Sequence, residues 1–304
     1  MMPQAGPAPD PSRTIAVTGA SGVLGGRVAT RLSAAGAPLR LVVRDPARAP
    51  SLPGAEVVAA PGGYADADGL RAALTGVDTL YLVSAAEAQD RLAQHRTAVA
   101  AAAAAGVRRI VYTSFVGASP DAVFTLARQH AATEDAIAAT GLRATFLRHG
   151  MYADFVPFFA TLEQGTAVIA APGGEGRVAF VSRDDLADVG TAVLLRDDDD
   201  LAGRTLDVTG PEALTLAEAA RVLTGITGRP AEYRLQTEEQ AWATRRPSGH
   251  PDWEIEGWVS SYLAIAAGEL SAVTDVVPRL TGHPARTVAE HLRAHPEDWA
   301  HLRG

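Results

Sequence analysis

Apolar positions along the first half of the chain follow two alternating periods. Short runs at 14–18, 39–43, 55–59, 78–83, 108–113 and 143–148 are apolar on successive residues, the pattern of strands buried on both faces. Between them, stretches at about 22–35, 66–75, 87–105 and 121–140 repeat apolar residues at helical spacing, and several stop at Gly36, Gly76, Gly106 or Gly141, where helices commonly end. Strands separated by whole helices imply βαβ units. The predicted fold is therefore α/β, a Rossmann-type doubly wound parallel sheet.

From about residue 151 the pattern loosens. A Phe-rich segment at 151–165 precedes a strand-like stretch at 177–181, and Ser182 followed by Arg183, Asp184 and Asp185 reads as a helix start. Helical patterns resume at 215–227, 236–246, 252–270 and 286–294. The expected organisation is a flexible tail at 1–12, a sheet domain at 13–150 and a smaller, mainly helical substrate lobe at 151–304. Strands near 177–181 and 204–208 are candidates to return to the main sheet.

One stretch carries chemistry by its order alone. The strand-like Ile15–Thr18 runs into glycines at 19, 22 and 25, and then into a helix with Leu24, Val28 and Leu32 on one face. Strand, glycine turn and helix make a dinucleotide phosphate site: Gly19 permits the turn, Gly22 lets the backbone approach a pyrophosphate, and Gly25 lets helix and strand pack closely. The helix N-terminus adds unpaired N–H groups and partial positive charge. The segment 13–150 is thus expected to bind NAD(P).

Composition narrows the chemistry. The chain of 304 residues carries a net charge of −8 and no dense basic cluster, so nucleic acid is not an expected partner. No apolar run approaches the roughly 20 residues of a membrane span, and MMPQAGPAPDPS at the start lacks the apolar core of a signal peptide. A cytoplasmic protein, monomer or homodimer, is expected. There is no Cys, which excludes thiolate metal sites and Cys nucleophiles. There is also no Lys: all 27 basic residues are Arg, which excludes lysine-dependent mechanisms. The run Asp197–Asp200 reads as a solvated helix end and loop. His291 and His295, four apart, read as surface residues for want of a third ligand, and no metal site is expected.

The order of motifs resembles the atypical short-chain dehydrogenase/reductases of the NmrA-like group, and within it bacterial NADPH-quinone oxidoreductases and triphenylmethane reductases. The likeness runs from Thr14 over nearly the whole chain. It is carried by Thr18-Gly-Ala-Ser-Gly-Val-Leu-Gly25, Val43-Arg-Asp-Pro-Ala-Arg48, Tyr81-Leu-Val-Ser84 and Val111-Tyr-Thr-Ser114. It continues in His130-Ala-Ala-Thr-Glu134, Leu147-Arg-His-Gly-Met-Tyr152, Phe180-Val-Ser-Arg-Asp-Asp-Leu-Ala187 and Gly203-Arg-Thr-Leu-Asp-Val-Thr-Gly-Pro211.

The expected cofactor site comprises Gly19, Ser21, Gly22, Val23, Leu24 and Gly25, with Arg44 and Arg48 about 20 residues on, where the adenosine ribose sits. Arginine there suits the 2′-phosphate of NADP rather than the free hydroxyl of NAD, so NADP(H) is favoured over NAD(H). Asp45 opposes that reading, since its carboxylate repels a phosphate or takes a ribose hydroxyl. Ser84 ends a strand where the chain passes the cofactor's central portion, and Thr113 and Ser114 end the next near the nicotinamide, or these residues cap the following turns.

The Tyr–Lys pair of ordinary short-chain reductases, matched through Glu134, falls at Leu126 and His130. Leucine cannot donate a proton. His130 is the first choice for a site residue, binding the nicotinamide ribose or orienting substrate, with a structural hydrogen bond as the plainer reading. His149, where relatives carry Asn, is expected over the nicotinamide. Tyr152 offers an aromatic wall and a hydroxyl, or serves as core. Tyr152, Ser114, His130 and solvent are the candidate proton sources. The expected activity is hydride transfer from NADPH to a quinone-like or other electron-poor acceptor, a small molecule. The alternative is a regulatory protein that senses NADP(H) without turnover.

Overall fold

The computed structural model describes residue 10 and residues 12–196 and 201–303. Most of the 1–12 tail and the Asp197–Asp200 run lie outside the described residues.

The first half alternates strictly: β1 (Ile15–Thr18), α1 (Val23–Ala34), β2 (Leu39–Val43), β3 (Ala55–Ala59), α2 (Ala67–Leu74), β4 (Thr79–Leu82), α3 (Arg91–Ala104), β5 (Arg109–Phe115), α4 (Thr125–Ala138) and β6 (Arg143–His149). The second half holds α5 (Phe155–Phe158), β7 (Ala160–Glu163), β8 (Thr166–Ala171), β9 (Arg177–Val178), α6 (Arg183–Leu195), β10 (Arg204–Val208), β11 (Leu214–Thr215) and α7 (Leu216–Thr227). It ends with β12 (Ala231–Leu235), α8 (Glu238–Arg245), α9 (Asp252–Ala266), α10 (Val276–Thr281) and α11 (Val288–Ala294).

Seven strands form one sheet in the order β10-β6-β5-β4-β1-β2-β3, every pairing parallel. The strand expected near 204–208 does return to this sheet, as β10 beside β6. The 177–181 stretch does not: β9 pairs antiparallel with β11 instead, and Val181 only bridges Tyr152.

Alternation along the strands sorts the core onto two faces. Val17, Leu41, Tyr81, Val111 and Leu147 pack with Leu24, Val28 and Leu32 of α1 and Leu186, Val189 and Val193 of α6. Ala16, Val42, Leu80, Ile110 and Tyr112 pack on the other face with Leu70 of α2, Val99 of α3 and Ile137 of α4. The helix start read at Ser182 is real: its hydroxyl accepts the Asp184 N–H at 3.2 Å, and Asp184 and Asp185 occupy the first turn of α6.

The part of the chain after β6 contributes a further apolar core, including Val156, Ile169, Phe180, Leu223, Tyr262 and Leu292. Beside its helices it contains a three-stranded sheet, β12-β8-β7, that the hydrophobic pattern does not reveal. Among the described residues no helix is long and apolar enough to cross a membrane.

Candidate functional site

The glycine turn has no room for side chains. Gly19 adopts φ +64, in the left-handed region that favours glycine. A Cβ on Gly25 would stand 2.3 Å from the Gly19 carbonyl oxygen, and one on Gly22 would stand 3.3 Å from the same atom. The helix α1 therefore begins directly against the turn. Its N-cap, Gly22, has no side-chain capping bond and no acidic residue follows in the first turn, so this end is open to an anion. Ser21 and Val23 flank it at the surface and Leu24 turns inward.

A residue that sequence reasoning missed braces the turn from below. The Tyr64 hydroxyl lies 2.6 Å from both the Thr18 Oγ1 and the Val83 carbonyl oxygen. It ties the end of β1 to the end of β4.

Arg44 and Arg48 are exposed after β2 and, among the described residues, neither is in an ion pair. Asp45 lies between them, also exposed. Its carboxylate accepts the Ala47 N–H at 3.0 Å as the N-cap of the 3-10 turn Pro46–Arg48.

Beyond the carboxyl ends of β4, β5 and β6 lies the crevice where open parallel sheets bind ligands. Ser84 and Thr113 meet there: the Thr113 hydroxyl accepts the Ser84 N–H at 2.7 Å and donates to the Ser84 Oγ at 3.3 Å. Ser114 points away to α4. Its buried hydroxyl donates to Glu134 at 2.5 Å, and Glu134 in turn holds Arg148 through two bonds of 2.9 and 2.6 Å. This corrects the expectation that Ser114 delivers a proton, because its hydrogen is committed to a carboxylate inside the fold.

The same correction applies to His130. Its Nε2 faces the Arg91 Nη2 at 3.0 Å and its Nδ1 faces the Tyr112 hydroxyl at 2.8 Å. Arginine only donates, so Nε2 accepts and Nδ1 carries the proton. Both nitrogens are satisfied within the protein, and burial next to Arg91 holds the imidazole well below its usual pKa. His130 is thus a neutral structural partner in the wall of the crevice. Leu126, one turn earlier, is partly buried against Phe124 and Ala127.

Arg91 was not anticipated. It is 3% exposed, and its other bonds go to the Ala85 carbonyl at 2.8 Å and Gln129 Oε1 at 3.1 Å. Among the described residues no carboxylate pairs with it.

His149 is different from His130. At the last position of β6 it is 1% exposed, yet neither ring nitrogen has a hydrogen-bond partner. Burial and the Arg183 charge lower its pKa to about 3, so at neutral pH it offers one N–H donor and one bare acceptor. Tyr152 stands 6.3 Å away, ring to ring. The Arg183 guanidinium lies over the Tyr152 ring at 4.3 Å, held by Asp154 at 2.9 and 3.0 Å. Burial raises the Tyr152 pKa, which keeps its phenol protonated.

A cleft of about 140 Å³ is lined by Glu87, Leu126 and Gln129 on one side and by Trp253, Glu254 and Gly257 of α9 on the other. Trp258 closes its rim by donating to Glu87 at 3.3 Å. Tyr262 belongs to the lobe core.

The reading of His291 and His295 as surface residues also needs correction. His291 is 1% exposed, and its Nδ1 and Nε2 face Ser182 Oγ at 2.9 Å and Asp298 Oδ2 at 3.0 Å. His295 reaches Asp184 at 2.7 Å.

Fold and crevice together define a dinucleotide-binding α/β protein with a Rossmann-like parallel sheet. The model of the NmrA-like family matches residues 11–247, and the chain belongs to that family. It is 31% identical over 281 residues to an NAD(P)H azoreductase of Xenophilus azovorans, covering 92% of this chain and 97% of the relative. A crystal structure of the NADPH-dependent quinone oxidoreductase of Escherichia coli, complexed with NADPH, superposes with a TM-score of 0.82 at 32% identity, covering 93% of this chain and 99% of that one. The triphenylmethane reductase of Citrobacter sp., complexed with NADP(H), superposes at 0.79 with 30% identity, covering 92% and 99%.

Proposed function

We propose that this protein, an NAD(P)H-dependent oxidoreductase, reduces a flat, electron-poor acceptor of the quinone class, with His149 as the residue that meets the acceptor. The observation that carries the role of His149 is its burial with both ring nitrogens unpartnered. A buried polar group without a partner costs free energy, and a ligand at the mouth of β6 removes that cost.

The residues fit a dinucleotide. The Gly19–Gly25 turn and the open end of α1 suit its pyrophosphate, and Arg44 and Arg48 suit a 2′-phosphate. Relatives of this fold are crystallised with NADPH and with NADP(H), which supports NADP(H) as the cofactor. When bound, it supplies the hydride.

The chain supplies position and electrostatics. Ser84 and Thr113 hold the ends of β4 and β5 together beneath the reacting centre. Neutral His149 directs its N–H at the carbonyl oxygen of the acceptor, where negative charge develops during reduction. The phenol of Tyr152 remains protonated beside it, and Tyr152 gives a flat ring an aromatic face. A reduced quinone is a weaker base than an alkoxide, which accounts for turnover without the Tyr–Lys pair.

Loss of NADPH absorbance on adding benzoquinones, naphthoquinones or azo dyes tests the activity. Turnover with NADPH exceeding that with NADH is expected. Binding of NADPH with no consumption by any of these acceptors refutes it.

A further inference from the structure

We infer that Asp184, His291 and His295 form a binding site for a divalent transition-metal ion, with zinc the best match. The site lies where the first turn of α6 meets α1 and the end of α11. One donor atom from each of the three residues lies within 4.8 Å of the other two. Donors on a single zinc at about 2.1 Å sit roughly 3.4 Å apart in tetrahedral geometry, so small side-chain rotations close the set. Two imidazoles and a carboxylate with an open fourth position suit zinc, and no thiolate exists in this chain to favour a softer ion.

The partners around these residues are arranged as outer-shell groups are. Nε2 of His295 faces Asp184 Oδ2 at 2.7 Å, while its Nδ1 faces Glu297 Oε1 at 3.0 Å. That is a carboxylate steering an imidazole from behind. His291 is anchored on both sides by Ser182 and Asp298, so whichever nitrogen binds the ion, the other keeps a partner. The two rings stand 4.7 Å apart, His291 within α11 and His295 four residues on, just past its end.

Nearby cations leave the ligand atoms free. Arg31 bonds to the other oxygen of Asp184, Oδ1, at 3.1 Å, and Arg27 stands beside the same oxygen at 3.1 Å as an ion-pair partner; Arg27 also lies 3.4 Å from Nδ1 of His295, the nitrogen turned away from Asp184. A second trio, Asp185, Asp188 and His283, has similar spacing but is already filled. The Arg286 Nη1 bonds both its carboxylates, at atoms a metal would need.

An ion here would join α11 and the chain beyond it to the first turn of α6, and through Arg27 to α1. Metal-stripped protein titrated with Zn²⁺ in a calorimeter tests this. One equivalent is expected to bind and to raise Tm, and Co²⁺ in its place is expected to give visible d–d absorption. His295→Gln, at a partly exposed position, is expected to abolish saturable binding, as is His291→Gln if it folds. Glu297→Gln should weaken binding about tenfold, the lower end of what an outer-shell partner contributes, and His283→Gln should leave it unchanged. Absence of saturable Zn²⁺ binding in the parent protein, or undiminished binding in His295→Gln, overturns the assignment.

Discussion

The guanidinium of Arg91 donates to Nε2 of His130 at 3.0 Å inside the fold, joining a buried cation to a neutral imidazole with no carboxylate paired to either among the described residues. The Arg91 charge also contributes to the low pKa of His95, whose Nε2 accepts the Ala85 N–H at 2.8 Å. Arg91 thus fixes the tautomer of His130 and helps burial keep both histidines neutral under the crevice. In Arg91→Met both imidazoles are expected to titrate nearer the ordinary value, read from their ring-proton shifts by NMR. Unchanged titration would show that burial alone holds them neutral.

Cofactor choice rests on Arg44 and Arg48. Hydrogen bonds from a guanidinium to a charged oxygen contribute about 1.5–3 kcal/mol each. Replacing both by Ala is expected to weaken NADPH roughly 100-fold and NADH little, measured by fluorescence titration of each cofactor. Equal losses for the two would rule out recognition of the 2′-phosphate.

Acid should destabilise the protein through its buried histidines. His95 and His149 both have pKa values lowered to about 3 by burial, helped by nearby arginines, whereas in the unfolded chain they protonate near 6.5. Between those values the unfolded state binds more protons, so stability falls as pH drops below about 6.5. By pH 5 the loss is about 2 kcal/mol for each group, at 1.36 kcal/mol per pKa unit. Urea unfolding at pH 7 and pH 5 measures it. His149→Asn is expected to remove only the His149 share, because His130, also held well below its usual value, loses stability in the same direction.

Local sequence carries the features that depend on near neighbours. The glycine turn, the strands of the first half and the start of α6 at Ser182 depend on neighbours within a few residues. Contacts across the fold were not legible. Arg91 opens an unremarkable helix, and only the packing of α4 over α3 buries it. His291 and His295 look like exposed helix residues until α6 brings Asp184 against them. The three-stranded sheet escaped notice because β12 is half solvent-facing and carries Glu232 and Arg234, while β7 and β8 are joined by a tight turn at Gln164 and Gly165. His130 and Ser114 occupied plausible positions in the sequence, yet nothing local shows that Arg91, Tyr112 and Glu134 take up their polar atoms.

The most direct test of the catalytic assignment is steady-state NADPH oxidation with a naphthoquinone in the parent protein and in His149→Ala. If His149 meets the developing charge, kcat should fall roughly 100-fold, the scale of losing one such donor, while the Kd for NADPH stays the same. An unchanged kcat, with NADPH binding intact, would remove His149 from the reaction.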